Sequence, residues 1–257
     1  MLKLNKIYFV DCLEGMKQLP KQSVDLIVTS PPYNVGKDYD KFKDNLSAVD
    51  YKKFMHKCFL GFKRILKKEG RFAINVGNWI PCVNSYSPLW YGELLKRAGL
   101  KLKYVITWVK SSKQENPQSF CGMNCAWGSW LSASSPSIRS YSEAILIGFN
   151  EEFGREKKKS DMTKKEFMEY TKNVWYFPVE IKMRKFHPCP FPEELVKRCI
   201  KLLSFKDDIV FDPFIGVGTT AIVAKKLRRR FIGFEINKKY VKVANKRLKF
   251  LKRKCPA

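Results

Sequence analysis

The chain has 257 residues and a formal net charge of +26, with 50 Lys and Arg against 24 Asp and Glu and a sequence pI near 9.8. That charge makes a polyanion the first partner to test. With 45% hydrophobic and 14% aromatic residues, intrinsic disorder is excluded as the main state, and the length allows one large domain or two small ones. Two uncharged stretches, 72–92 and 116–138, are broken by Pro, Gly, Asn and Ser, so neither reads as a membrane span. Only four consecutive apolar residues precede Asp11, too few for the core of a secretory signal; a cytoplasmic protein with no membrane partner is expected. The eight cysteines (Cys12, Cys58, Cys82, Cys121, Cys125, Cys189, Cys199, Cys255) are scattered and expected to be reduced. Cys121 and Cys125 form a lone CxxxC, and His56 and His187 are remote, so these read as ordinary packing residues and no metal site is expected.

Seven β-rich runs follow one another along the chain: 6–11 (KIYFVD), 24–30 (VDLIVTS), 71–76 (RFAINV), 103–110 (KYVITWVK), 143–149 (EAILIGF), 208–213 (DIVFDP) and 230–236 (RFIGFEI). Helical periodicity fills 51–68, 89–98, 192–203, 219–227 and 237–251. Strand and helix alternate, which predicts a doubly wound α/β sheet in a single domain spanning 1–257. Gly70, Gly99 and Gly154 stand where helices or strands should end. Residues 111–142 lack periodicity and are rich in Ser, Asn, Gly and Trp, whereas 151–172 reads as a charged, helical insertion. Loops this long are usually functional.

The second run ends in Thr29-Ser30-Pro31-Pro32-Tyr33-Asn34. Two prolines end any ladder and fix an extended hook beyond the carboxyl end of a strand, where open α/β sheets place their ligands. A bare Pro-Pro-Tyr would be a Pro-rich turn; directly after a buried strand the hexapeptide is far more specific. The sixth run leads through Asp212-Pro213-Phe214-Ile215-Gly216-Val217-Gly218-Thr219 into a helix, and Glu235 ends the next strand seventeen residues after Gly218. Glycines there permit close backbone approach to a ligand, and an acid at that strand end can accept from both hydroxyls of a ribose. A nicotinamide cofactor is disfavoured, because Ala221 replaces the third glycine of GxGxxG.

The Ser-Pro-Pro-Tyr hook resembles the catalytic motif of the DNA amino-methyltransferases, and the DPFxGxGTT loop resembles their S-adenosylmethionine loop. The segment running from His187 through Phe191 to Pro192 resembles the one these enzymes place around the methionine end of the cofactor. Asp11 and Cys12 resemble the acidic position beside its adenine. The catalytic motif precedes the cofactor loop, so the seven-stranded, Rossmann-like methyltransferase sheet implied is circularly permuted between its second helix and third strand. That is the β-class order.

The resemblance implies a catalytic set of Ser30, Pro31, Pro32 and Tyr33. It implies a cofactor set of Asp11, Cys12, Phe191, Asp212, Pro213, Phe214, Gly216, Gly218, Thr219 and Glu235. Ser30 and the Pro31 carbonyl would accept from the two N–H groups of an exocyclic amine, and Tyr33 would stack on a base flipped out of the duplex. Double-stranded DNA is the implied partner, with a cognate restriction endonuclease as a functional one; monomer and homodimer stay open, as does RNA. Serine at the first motif position is commoner among cytosine-N4 enzymes, and 126–132 with 134–137 resembles a segment of that group, so cytosine N4 is preferred over adenine N6. That segment reads equally as a core-packing loop with two buried Trp. Carbon-5 chemistry through Cys82 or Cys189 is disfavoured, since neither follows a strand-end motif. A non-catalytic DNA-binding protein would show erosion at Ser30, Tyr33, Gly216, Gly218 or Glu235, and none is seen.

On this reading 1–110 is the catalytic region, 111–178 the DNA-recognition insertion and 179–257 the cofactor region. Gln114, Asn116, Gln118, Asn124 and Arg139 can read base edges. Arg155 to Lys159, including Lys157, and Lys182 to Lys185 are phosphate-contact candidates. Residues 225–254, with fourteen Lys and Arg against Glu235, read by default as a solvated basic face.

Overall fold

The computed structural model describes residues 2–37, 39, 41–111, 128–138, 140–156, 158–190 and 192–254. Gln114, Asn116, Gln118, Cys121, Asn124, Cys125, Ala126, Trp127, Arg139, Lys157, Phe191 and Cys255 lie outside the described residues. In chain order the elements begin with β1 (Lys6–Phe9), α1 (Cys12–Lys17), β2 (Val24–Thr29), α2 (Ala48–Ile65) and β3 (Leu66–Gly77). A small hairpin, β4 (Trp79–Ile80) and β5 (Ser85–Tyr86), precedes α3 (Ser87–Arg97), β6 (Lys101–Val109), β7 (Ser142–Phe149), α4 (Lys164–Tyr170) and β8 (Val174–Tyr176). The chain continues through α5 (Glu193–Leu203), β9 (Ile209–Asp212), α6 (Thr219–Lys226), β10 (Arg230–Glu235) and α7 (Lys238–Lys254).

One eight-stranded sheet runs in the order β1-β10-β9-β2-β3-β7-β6-β8. Its first five strands are mutually parallel and β7 is antiparallel to both neighbours. The permuted order expected from the motifs is realised in the pairing of β2 with β9, which join Leu26 to Val210 and Ile27 to Phe211 across most of the chain length. Every residue of β2 is buried, as a parallel strand covered on both faces requires. Ile27, Phe72 and Phe211 pack with Met55, Phe59 and Phe62 of α2 on one face, whereas Leu26, Val28 and Val210 pack with Val196 and Ile200 of α5 and Ala221 of α6 on the other.

The seven expected strands all form, and the structure adds the β4–β5 hairpin outside the main sheet and an eighth strand, β8, within it. Its three residues are too few for a readable alternation, yet Trp175 is wholly buried against the edge of β6. α1 is also new to the sequence reading; the Asp11 side chain caps it by accepting from the Leu13 and Glu14 amides. Gly70 does not end an element. It lies inside β3 beside a register shift, where the buried Asn150 amide donates to the Leu66 and Lys67 carbonyls. Gly99 does stand just past α3, at φ +77°.

Among its described residues the 151–172 insertion is helical only over α4, whose start is fixed by a reciprocal Thr163–Glu166 capping box. Ahead of it Arg155 is tied to Asp208 at 2.7 Å and Asp25 at 3.2 Å, with its side chain 11% exposed. This removes Arg155 from the phosphate-contact candidates, because a guanidinium held by two buried carboxylates has no free edge to offer. Nor is 225–254 wholly a solvated face. Arg229 is buried on Asp161 and Ser204, and Arg247 donates to the Val217 carbonyl at 2.7 Å. No described helix is long and apolar enough to cross a membrane.

Candidate active site

β9 and β2 lie side by side and send their connections to opposite faces of the sheet, which opens a crevice at their carboxyl ends. Into it open Ser30, Pro31, Pro32 and Tyr33 from the end of β2. Asp11, Cys12, Pro213, Phe214, Gly216, Thr219 and Glu235 line the same cleft of about 1320 Å3. Asp212 and Gly218 do not line it. Asp212 is fully buried beneath the loop, where its carboxylate accepts from Thr29 Oγ1 and Thr220 Oγ1 (each 2.6 Å) and from the Phe214 amide (3.0 Å). It staples the end of β2 to the glycine loop after β9, and burial pushes its pKa up to about 6 despite the three donors. Gly218 caps α6 at φ +86°, and a Cβ there would meet the Ala244 Cβ of α7 at 2.8 Å.

Gly216 faces the cleft at φ +52°, and a Cβ there would sit 3.0 Å from His187 Nε2. Its amide donates to Glu235 Oε2 at 2.9 Å, and the Asn237 amide donates to Oε1 at 2.7 Å. These bonds orient the carboxylate and leave further lone pairs on both oxygens. Burial outweighs them and raises the Glu235 pKa to about 7. His187, from the segment before α5, lines the cleft between the Tyr39 and Tyr240 rings, and burial lowers its pKa to about 4. The Cys189 amide donates to its Nδ1 at 3.2 Å, so the neutral ring carries its proton on Nε2.

The Pro-Pro hook is fixed from three sides. Asn34 takes φ +58° and exchanges hydrogen bonds with the Leu46 backbone, and Asp44 accepts from the amides of Asn34, Val35 and Lys37. Tyr51 donates to the Pro32 carbonyl at 2.7 Å. Behind the hook, Ser30 Oγ lies 3.0 Å from Tyr33 Oη, which also contacts Glu143 Oε2 at 3.2 Å and the Asn75 carbonyl at 3.3 Å. Lys110 Nζ sits 2.7 Å from Glu143 Oε1. Sequence reasoning missed Asp44, Asn75, Lys110 and Glu143. Lys110 and Glu143 flank the 111–142 stretch at the ends of two expected strands, and only the antiparallel pairing of β6 with β7 brings them together.

On the rim the described part of the Trp-Ser segment is not core: Trp130 is 64% exposed, and Ile138, also exposed, borders the cleft. Arg184 borders it too, beside exposed Lys182 and Lys185.

Five parallel strands in permuted order, a glycine loop after one and a Pro-Pro hook after its neighbour define a methyltransferase of the β-class. The chain belongs to the DNA methylase family of adenine-N6 and cytosine-N4 amino-methyltransferases, whose sequence profile matches residues 24–246. It is 31% identical over 250 residues to the type II methyltransferase M.BglII of Bacillus subtilis, covering 94% of this chain and 68% of that one. It is also 31% identical to the DNA adenine methyltransferase YhdJ of Escherichia coli, covering 93% and 80%. Among solved structures it resembles TTHA0409, a putative DNA modification methylase of Thermus thermophilus complexed with S-adenosyl-L-methionine (TM-score 0.72, 24% identity, 98% and 95% covered). The chain is a DNA methyltransferase and its cofactor is S-adenosylmethionine. The donor set fits that group: a strand-end carboxylate for a ribose diol, a loop position without a Cβ, and the apolar Phe214 and Ile236 for an adenine ring.

Proposed function

We propose that the protein methylates the N4 amine of cytosine in double-stranded DNA, on a base flipped out of the stack. The observation that carries this reading is the uncharged Ser30 hydroxyl at the head of a rigid Pro-Pro hook, in the same cleft as the glycine loop and Glu235. An exocyclic amine is a weak nucleophile because its lone pair is delocalised into the ring. Ser30 Oγ and the Pro31 carbonyl accept from its two N–H groups and favour a tetrahedral nitrogen, while the Tyr33 ring carries the base. S-adenosylmethionine supplies an activated methyl group, so alignment does most of the rest. Residues 111–178 supply base reading, and Lys182, Arg184 and Lys185 at the cleft edge contact phosphates.

The name of YhdJ favours a second reading, adenine N6. Nucleoside mass spectrometry of DNA from a host expressing the protein decides. N4-methylcytosine supports the first reading, N6-methyladenine alone replaces it with the second, and no methylated amine overturns both. The type II name of M.BglII supports a restriction-modification setting with a cognate endonuclease as functional partner.

Glu235 links cofactor binding to pH. A protonated carboxyl cannot accept from both ribose hydroxyls, so cofactor affinity should rise with pH up to about 7 and level off above it, with proton release on binding. The same raised pKa means that this group's contribution to the stability of the free protein is full below the ordinary carboxylate range and falls as pH climbs through 7. Calorimetry across pH checks this; Glu235→Gln should flatten the profile, and a wild-type profile already flat from pH 5.5 to 8 removes Glu235 from the ribose.

A further inference from the structure

Methylation of an exocyclic amine leaves a proton that must go somewhere. The Ser30 hydroxyl can hold the amine, but it is too weak a base to keep a proton. The described residues place one carboxylate behind it. Glu143 and Lys110 form an ion pair on the cleft wall, with side chains 15% and 7% exposed. Burying such a pair costs desolvation, and the strands around it are already held by their own ladders. Asn75, on the adjoining strand β3, donates through Nδ2 to Tyr33 Oη at 2.9 Å and to Glu143 Oε2 at 2.6 Å.

Tyr33 has one proton to donate and two acceptors within reach, Glu143 Oε2 at 3.2 Å and the Asn75 carbonyl at 3.3 Å, of which the carboxylate is the nearer and the charged one. With that proton on Glu143, the contact between Ser30 Oγ and Tyr33 Oη has Ser30 as its donor. Burial and the Glu143 charge hold the Tyr33 pKa well above its ordinary value, so the hydroxyl stays protonated and passes a proton only by taking one. Ser30 keeps its lone pairs for the substrate.

We propose that Ser30, Tyr33 and Glu143 form a proton-exit relay from the target amine, with Glu143 as terminal acceptor and Lys110 balancing its charge. The proposal rests on the reading that Ser30 holds the target amine. The nitrogen lone pair forms the N–C bond as the S–C bond breaks, and the bonding pair stays on sulfur, which becomes a thioether. The methylated nitrogen is then cationic and strongly acidic. Its proton passes to Ser30 Oγ, the Ser30 proton to Tyr33 Oη, and the Tyr33 proton to Glu143, which releases it to water in the cleft. Glu143 acts through Ser30 and Tyr33 and is a positioning residue that also accepts the proton.

The test compares single-turnover methylation, cofactor affinity by calorimetry and thermal melting in Glu143→Ala, Tyr33→Phe and the double variant. Tyr33→Phe keeps the stacking ring and removes only the hydroxyl link. Each single variant should lose ~10²-fold in rate, the scale of general-base assistance, with cofactor affinity unchanged. The double should be no slower than either, because one broken link disables the relay. Added formate should restore Glu143→Ala but not the double variant, a difference a structural role would not produce. Glu143→Gln covers the case in which Glu143→Ala does not fold, with the same expected loss. The relay is overturned by Tyr33→Phe or Glu143→Gln within threefold of wild type, by losses that multiply, or by formate rescue indifferent to Tyr33. If Ser30→Ala is slow while Tyr33→Phe and Glu143→Gln are normal, only the relay falls. If Ser30→Ala is also normal, the reading of Ser30 falls with it.

Discussion

Ser30→Ala is expected to slow methylation by ~10² to 10³-fold while leaving cofactor affinity nearly intact, the loss typical when one positioned hydrogen-bond partner of a reacting group is removed. The separation follows from where the residue stands. Ser30 comes off β2, whereas the glycine loop and Glu235 come off β9 and β10, and the staple between the two halves runs through Thr29 and Asp212 rather than through Ser30. Tyr33→Ala should abolish methylation, but with a second effect that Ser30→Ala lacks. It deletes the ring and also removes the hydroxyl that Asn75 Nδ2 and Glu143 Oε2 contact, which leaves buried polar groups short of a partner at a cost of roughly 1–3 kcal/mol. Melting curves should therefore be lower for Tyr33→Ala than for Ser30→Ala. Near-wild-type turnover of Ser30→Ala would remove it from the reaction.

Gly218→Val should abolish cofactor binding, and the structure changes the reason. From sequence the expected cause is a side chain blocking the ligand, yet Gly218 does not line the cleft. A Cβ at φ +86° is strained in itself and would press on the Ala244 Cβ at 2.8 Å, displacing α7 from the cap of α6. Strain and overpacking together amount to roughly 2–5 kcal/mol, much of the stability of a domain this size. The melting temperature should fall together with affinity. Glu235→Ala is the contrasting case: the fold should survive, and lost charge-assisted hydrogen bonds should weaken the cofactor about 10- to 100-fold. A Gly218→Val protein that melts like wild type but binds no cofactor would restore the direct block. Unchanged affinity in both variants would move the cofactor elsewhere.

The sequence by itself determined the alternation of strands and helices and the two loops, and the order of the two motifs resembling the methyltransferases gave the permutation. Strand and helix periodicities differ, prolines and glycines punctuate locally, and a hexapeptide such as Thr29 to Asn34 carries its conformation in its own φ restrictions. Tertiary structure decided what depends on neighbours remote in the chain. β8 exists because Trp175 finds a buried place against β6, not because three residues prefer to be extended. Asp212, Gly218 and Arg155 carry residue types suited to a ligand or a phosphate, and only packing shows each turned inward onto Thr29, Ala244 and Asp208. Lys110, Asn75 and Glu143 gave no signal in sequence, because an ion pair or amide bridge across three strands is set by register.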